Sequence, residues 1–301
     1  MVTGKRNRMA PFSTRRMIAV TLGCAMLMSS PASAQPKIET VAGIAPIAWA
    51  VNQVGGDSVA VSVLLPTGAS PETYAPAPQN LVRLSDARVL FTVGVPFEKR
   101  LTERVSDFAR GLTITDVTDG IGLRRFDDDD SGQGLADPHV WLDPTLMYTI
   151  VENIATRLTA IDPGDSDYYR SRADSAIAKL HALDTELKSM LAPFKGRSMF
   201  VYHPSFGYFA NRYGLHQVAI ERHGKEASAK ELTELISLAK ADKVRLLFSQ
   251  PQFSRGQAEV VAKEIGAEIA IVDPLSGDYF SMMRDLAMKV AQSYRNEAVR
   301  R

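Results

Sequence analysis

The run "GDSDYYRSRADSAIAKLHALDTELKSML", Gly164 to Leu191, decides how the rest of the chain is read. Ile177, Leu180, Leu183, Leu187 and Leu191 recur at intervals of three and four, the period of a helix with one apolar face. Pro163 precedes the run and Pro193 stands just past it, where prolines start and stop helices. At 1.5 Å per residue the helix would be about 40 Å long. It lacks the Gly, Ser and Pro enrichment of a flexible linker, so it reads as a strut. A second helix, Pro144 to about Ala160, precedes it, and no strand-like run lies between Asp143 and Leu191.

On either side the pattern changes. Short β-branched runs alternate with amphipathic segments: Val59–Leu64, Arg88–Val93 and Leu112–Val117 before the strut, Ser198–Tyr202, Val244–Phe248 and Glu268–Val272 after it. Ser228–Lys240 and Gly256–Ile265 are helical between them. Such alternation predicts mostly parallel sheets flanked by helices. The expected fold is therefore α/β, with two lobes joined by one long rigid helix: residues 35–163, the connecting helix 164–193, and residues 194–301.

Residues 1–34 stand apart. Lys5, Arg6, Arg8, Arg15 and Arg16 precede an apolar stretch from Met17 to Met28 and then Pro31-Ala-Ser-Ala34, the order of a cleavable export signal that is too short to span a bilayer. The Arg15-Arg16 pair also suits a twin-arginine signal. Cys24 after Gly23 is a weaker match to a lipoprotein site, because Thr21 stands where Leu is expected. The expected location is periplasmic. The segment holds five of the 35 basic residues and none of the 34 acidic ones, so the remainder carries 30 against 34, a net charge of −4. Nothing basic is left to attract nucleic acid. Cys24 is the only cysteine, which rules out disulfides and thiolate metal sites beyond the signal.

The chain carries no H-E-x-x-H, G-x-S-x-G or Walker loop, and no glycine fingerprint after a strand. What stands out is four potential metal ligands at turns, each beside a proline: Glu72 in "SPETYAP", His139 in "ADPHVWLDP", His203 in "FVYHPSFGYF" and Asp273 in "IVDPL". His203 and Asp273 directly follow apolar strand-like runs, and open α/β sheets bind ligands beyond the carboxyl ends of their strands. Each residue also has an ordinary reading: a solvated loop acid, a histidine packed among aromatics, a turn aspartate. His223, in a Gly-containing loop, is a reserve candidate. His181 lies on the strut, and His216 borders the strand-like Gln217–Ile220. Asp127–Asp130 reads as a solvated acidic loop.

The ordered set "AGIAPIAWAVNQVGG", "PTGASPETYAPAPQNLVRLSDARVLFTVGVPFEKRL", "DPHVWLDP", "YHPSFGYFANRYGL", "KEASAKEL", "FSQPQFS" and "DPL" resembles the periplasmic zinc- and manganese-binding proteins of ABC importers, the ZnuA and TroA family. The resemblance implies two α/β lobes on a long backbone helix with a metal bound in the cleft. It makes His139, His203 and Asp273 the second, third and fourth ligands. The first is normally the His of a P-H-x-Y-x-P turn, and that turn here reads Pro71-Glu72-Thr73-Tyr74-Ala75-Pro76, so Glu72 takes its place. Ala227 replaces a usual Pro and Gln250 a usual Glu, and the stretch before "DPHVWLDP" is rich in Asp instead of His.

Two imidazoles and two carboxylates suit one divalent transition-metal ion. Exchanging His for Glu hardens the site toward Mn²⁺ or Fe²⁺, although Zn²⁺ also accepts these ligands. The resemblance implies a monomeric, non-enzymatic capture protein. It would deliver its ion to a membrane permease driven by a separate ATPase and meet the membrane only through that permease. An exported metallohydrolase and a siderophore binder on a similar frame are the alternatives.

Overall fold

The computed structural model describes residues 1–4, 37–105, 109–126, 135–221, 229–253 and 255–298. Contacts divide the chain into Met1–Gln35 and one compact unit, Pro36–Arg301. Of the first, residues 1–4 are described and have no regular secondary structure. The rest of the expected export signal, the Asp127–Asp130 run, His223 and Ala227 lie outside the described residues.

Pro36–Arg301 contains two four-stranded sheets, all pairs parallel, with the same strand pattern. The first has the order β2-β1-β3-β4, from β1 (Ile38–Ala42), β2 (Val59–Val63), β3 (Val89–Thr92) and β4 (Thr113–Asp116). The second has the order β6-β5-β7-β8, from β5 (Ser198–Val201), β6 (His216–Ala219), β7 (Leu246–Ser249) and β8 (Glu268–Ile271). The central strands are the most buried: β3 is buried at all four positions, as expected of a parallel strand covered on both faces. β1 sits between β2 and β3, with Ala42 opposite both Val63 and Phe91.

The helices fall close to their sequence patterns. They are α1 (Ala45–Gly55), α2 (Pro78–Asp86), α3 (Pro96–Thr102), α4 (Leu146–Ile161), α5 (Ser166–Leu191), α6 (Gly207–Tyr213), α7 (Ala229–Ala241), α8 (Arg255–Ile265) and α9 (Tyr279–Ala298). α4 starts two residues later than the proline predicts. The Asp143 carboxylate takes both the N–H and the hydroxyl of Thr145, which holds Asp143-Pro144 in a turn before the helix.

α5 is the expected strut, 26 residues long with a 3₁₀ turn at each end. Its buried stripe is Tyr169, Ala173, Ala176, Leu180, Leu183, Leu187 and Leu191, spaced alternately by four and three until the final turn. Ile177 lies at the flank of this stripe, only partly buried. α5 packs against α1, α4 and α9. One hydrophobic core therefore runs unbroken from Val41 and Phe91 through the α5 leucines to Val201, Phe248 and Leu286. A smaller cluster around Phe200, Leu235, Leu247 and Val261 fills the far face of the second sheet.

Polar contacts fasten α5 at both ends. Near its start Ser58 donates to Asp165 at 3.0 Å, and Arg172 to the Asn52 carbonyl at 3.1 Å. Near its end Asp184 accepts two bonds from Arg212 of α6, at 2.9 and 2.6 Å, and one from Tyr213. Burial works against the Asp184 carboxylate, but these bonds outweigh it and the group sits below the usual carboxylate range. α9, from the end of the chain, returns to the first half: Tyr279 stacks on Trp49 of α1 with ring centroids 4.8 Å apart.

One buried acid stands out in α3, just past the end of β3. Glu98 is 1% exposed, and its Oε2 accepts the N–H groups of Val93, Gly94 and Val95 at 2.9, 2.8 and 3.2 Å, capping the start of α3. Its Oε1 meets the backbone of Gly43, where any Cβ would overlap it. Burial outweighs the three N–H bonds and lifts the carboxyl from 4.5 to about 7. The folded state thus holds this proton more tightly than the unfolded chain, and the stability it contributes is lost as pH rises from about 4.5 to about 7. Glu98→Gln does not titrate and should lose about 3 kcal/mol less than the wild type across that window. Urea unfolding of both proteins at several pH values measures the difference, and parallel profiles would show that Glu98 does not titrate there.

Candidate metal centre

All four expected ligands lie in connections that follow strands, His203 and Asp273 directly after them. Glu72 follows β2, His139 lies between β4 and α4, His203 follows β5 and Asp273 follows β8. The two sheets turn these connections toward one cleft of about 20 Å³, room for about one water-sized species. Glu72, His139 and His203 line it, together with Trp141, Gln250, Gln252 and Phe253. Asp273 does not line it, although Pro274 and Leu275 do. Among the described residues no three His, Cys, Asp or Glu side chains converge closely enough to form a ready-made ion cage.

The Glu72 turn is held from beneath. Tyr74 N–H closes the turn onto the Ser70 carbonyl at 3.0 Å, and the Ser70 hydroxyl accepts from Glu72 N–H at 3.3 Å. α3 then clamps the backbone: Phe97 N–H donates to the Pro71 carbonyl, while Arg100 donates to the carbonyls of Glu72 and Tyr74 at 3.2 and 3.1 Å. The prolines limit the turn's conformations and α3 selects one of them.

The histidines are held by carboxylates. Asp137, fully buried, accepts His139 N–H at 2.9 Å and His139 Nδ1 at 2.7 Å through the same oxygen. Tyr208 donates its hydroxyl to the Asp137 carbonyl at 2.9 Å, and burial pushes that phenol up to about 12, so it remains a donor. Gly207 beside it has no room for a Cβ, which would run into Arg124. His203 is arranged in the same way, with Nδ1 3.0 Å from Glu221 Oε2 and its ring stacked on Phe253 at 4.6 Å. A carboxylate only accepts, so Nδ1 is the donor in each ring, and in the neutral tautomer this leaves the lone pair on Nε2. The two rings lie 5.6 Å apart between centroids.

Asp273 is engaged differently. Its Oδ1 accepts Gln252 Nε2 at 2.7 Å and Leu275 N–H at 3.0 Å. The adjoining wall joins the two halves of the chain, since Trp141 donates to the Pro274 carbonyl at 2.8 Å and accepts from Tyr279 at 2.7 Å.

Of the residues outside the expected four, His181 stacks on Tyr148 along the strut and His216 is exposed at the start of β6. Asp137 and Glu221 were not among the expected site residues. Asp137 had a local signal, since an Asp two residues before a His readily forms an Asx turn. Glu221 had none: it reaches His203 across 18 residues only because β6 pairs with β5.

The family model described as "Zinc-uptake complex component A periplasmic" matches residues 40–293. The zinc-binding protein AdcA of Streptococcus pyogenes is 27% identical over 303 aligned positions, covering 89% of this chain and 58% of that one. The high-affinity zinc uptake system protein ZnuA of Bacillus subtilis is 26% identical, covering 87% and 86%. The chain thus spans little more than half of AdcA and most of that ZnuA. A crystal structure of ZnuA superimposes with a TM-score of 0.81 at 36% identity, covering 86% of this chain and 99% of that one. A match from β1 to α9, over both sheets, the strut and every turn that faces the cleft, places the chain in the ZnuA family of metal-binding solute-binding proteins.

Proposed function

We propose that this protein is the exported solute-binding component of a metal ABC importer. It captures one divalent transition-metal ion in the cleft and hands it to a membrane permease served by a separate ATPase. The observation that carries this reading is the pair of buried imidazoles, each with Nδ1 committed to a carboxylate and Nε2 free, in one cleft with Glu72. A second partner on Nδ1 fixes the ring and its tautomer and makes Nε2 a better donor. Glu72, His139, His203 and Asp273 are the proposed ligands. Two carboxylates balance a dication, which lowers the cost of burying it.

Asp273 would complete the set by a short movement of its turn, with Oδ2 available while Oδ1 keeps its bonds to Gln252 and Leu275. Filling all four positions from the protein suits capture more than hydrolysis, because a catalytic zinc keeps a position open for water. In this reading residues 35–163 and 194–301 are the lobes and 164–193 the strut. Since a single core runs through both lobes, the turns are the movable parts, and release follows when the permease reshapes one of them. The basic and apolar start of the chain directs it to the periplasm, where it acts as a monomer.

Replacing a neutral imidazole by Glu72 favours Mn²⁺ or Fe²⁺ relative to a three-histidine site, while the general affinity order still favours Zn²⁺. Calorimetry on the chain without residues 1–34 should show one ion per chain. Asp137→Ala leaves every proposed ligand in place but frees the His139 ring, and should weaken binding by about 10- to 100-fold. Unchanged affinity would remove the role given to Asp137.

Glu72→His should raise the preference for Zn²⁺ over Mn²⁺ in direct competition. The same ratio in variant and wild type would show that Glu72 is not a ligand.

A further inference from the structure

Gln250, at the end of β7, is 1% exposed and lines the same cleft as Glu72, His139 and His203. Its Nε2 donates to the His203 carbonyl at 3.1 Å and to the Ser205 hydroxyl at 2.8 Å. A carbonyl can only accept, so the amide nitrogen must face the His203 carbonyl and the oxygen must point away from that carbonyl. That oxygen, Oε1, is buried and has no hydrogen-bonding partner among the described residues. A buried acceptor left unmatched is costly, and few persist without a reason.

The surrounding charge says what would match it. Asp137 and Glu221 are each tied to an imidazole N–H, and Glu72 and Asp273 together balance one dication. A carboxylate at position 250 would add a further buried negative charge, whereas an amide offers an oxygen with none. The nitrogen's two bonds already orient it, so little entropy is lost when the oxygen takes up a partner.

Resting on the capture function proposed above, we propose that the Gln250 carboxamide oxygen is a fifth donor to the captured ion. Two nitrogens and three oxygens form a harder set than the four ligands alone. Gln250 therefore tilts selectivity toward Mn²⁺ and Fe²⁺, which accept more oxygen ligands than a tetrahedral zinc site provides.

Gln250→Met keeps the length of the side chain and removes the oxygen. In the chain without residues 1–34 it should lower Mn²⁺ affinity about tenfold while changing Zn²⁺ affinity much less. The visible band of bound Co²⁺ should intensify as coordination falls from five to four. Ser205→Ala weakens the hold on Nε2 and leaves Oε1 in place, so it should reproduce neither change. X-ray absorption of the Mn²⁺-loaded wild type needs no variant and should count at least five nitrogen or oxygen neighbours. A count of four, an unaltered Co²⁺ band in Gln250→Met, or the same changes in Ser205→Ala would each overturn the assignment. If the wild type binds neither Zn²⁺ nor Mn²⁺, the capture function itself falls, an outcome distinct from these three.

Discussion

The apolar stripe of α5 is the constraint on which the rest of the structure depends. It has seven buried positions, from Tyr169 to Leu191, on a helix that contacts α1 and α4 from the first half and α9 from the last. Burying each large apolar side chain contributes about 1.5–3 kcal/mol, so separating the halves would expose several such contributions at once. A two-lobed protein built on this plan keeps its sheets at a set separation. The cleft between their carboxyl ends inherits that separation, and its dimensions are settled far from the residues that line it.

Within this frame, the candidate donors at and beside the cleft are held in three ways. Backbone clamps from α3 hold the Glu72 turn, buried carboxylates hold the two imidazoles, and an amide and a backbone N–H hold Asp273. These supports come from different elements: Asp137 precedes its own histidine in the chain, whereas Glu221 reaches across from the neighbouring strand β6. The electrostatic balance is correspondingly tight. Four carboxylates stand at or beside the cleft, two of them matched by imidazole N–H groups, and the side chain at position 250 is neutral. Metal preference in such a site depends on hardness and on the number of oxygens, and among the departures from the pattern this sequence resembles, Glu72 and Gln250 are the two that line the cleft.

Much of the architecture is readable from local pattern. The 3-4 spacing in α5, the β-branched runs and the bounding prolines are short-range signals, and the elements they predict appear within a few residues of their expected limits. Errors fall where a side chain overrides propensity: Asp143 delays α4 by capping Thr145, and Ile177, apparently part of the stripe, is displaced to its flank by the phase that Tyr169 and Ala173 set. The return of α9 to α1 has no local signal, because the stack of Tyr279 on Trp49 joins residues 230 positions apart.

The sequence by itself determined which residues stand at the turns and how the elements alternate, because helix period, strand composition and proline restriction act over a few neighbouring residues. It also carried the chemistry of the candidate donors, since a side chain's hardness and charge do not depend on the fold. Only the tertiary structure decided which donors share a cleft, which imidazole nitrogen is free, and that Asp273 and Gln250 are anchored by groups distant in the chain. Those outcomes depend on the pairing of parallel strands and on the packing of one core across both lobes. Parallel pairing brings together residues from separate βα units, and their sequence distance gives no measure of the angle or spacing at which they meet.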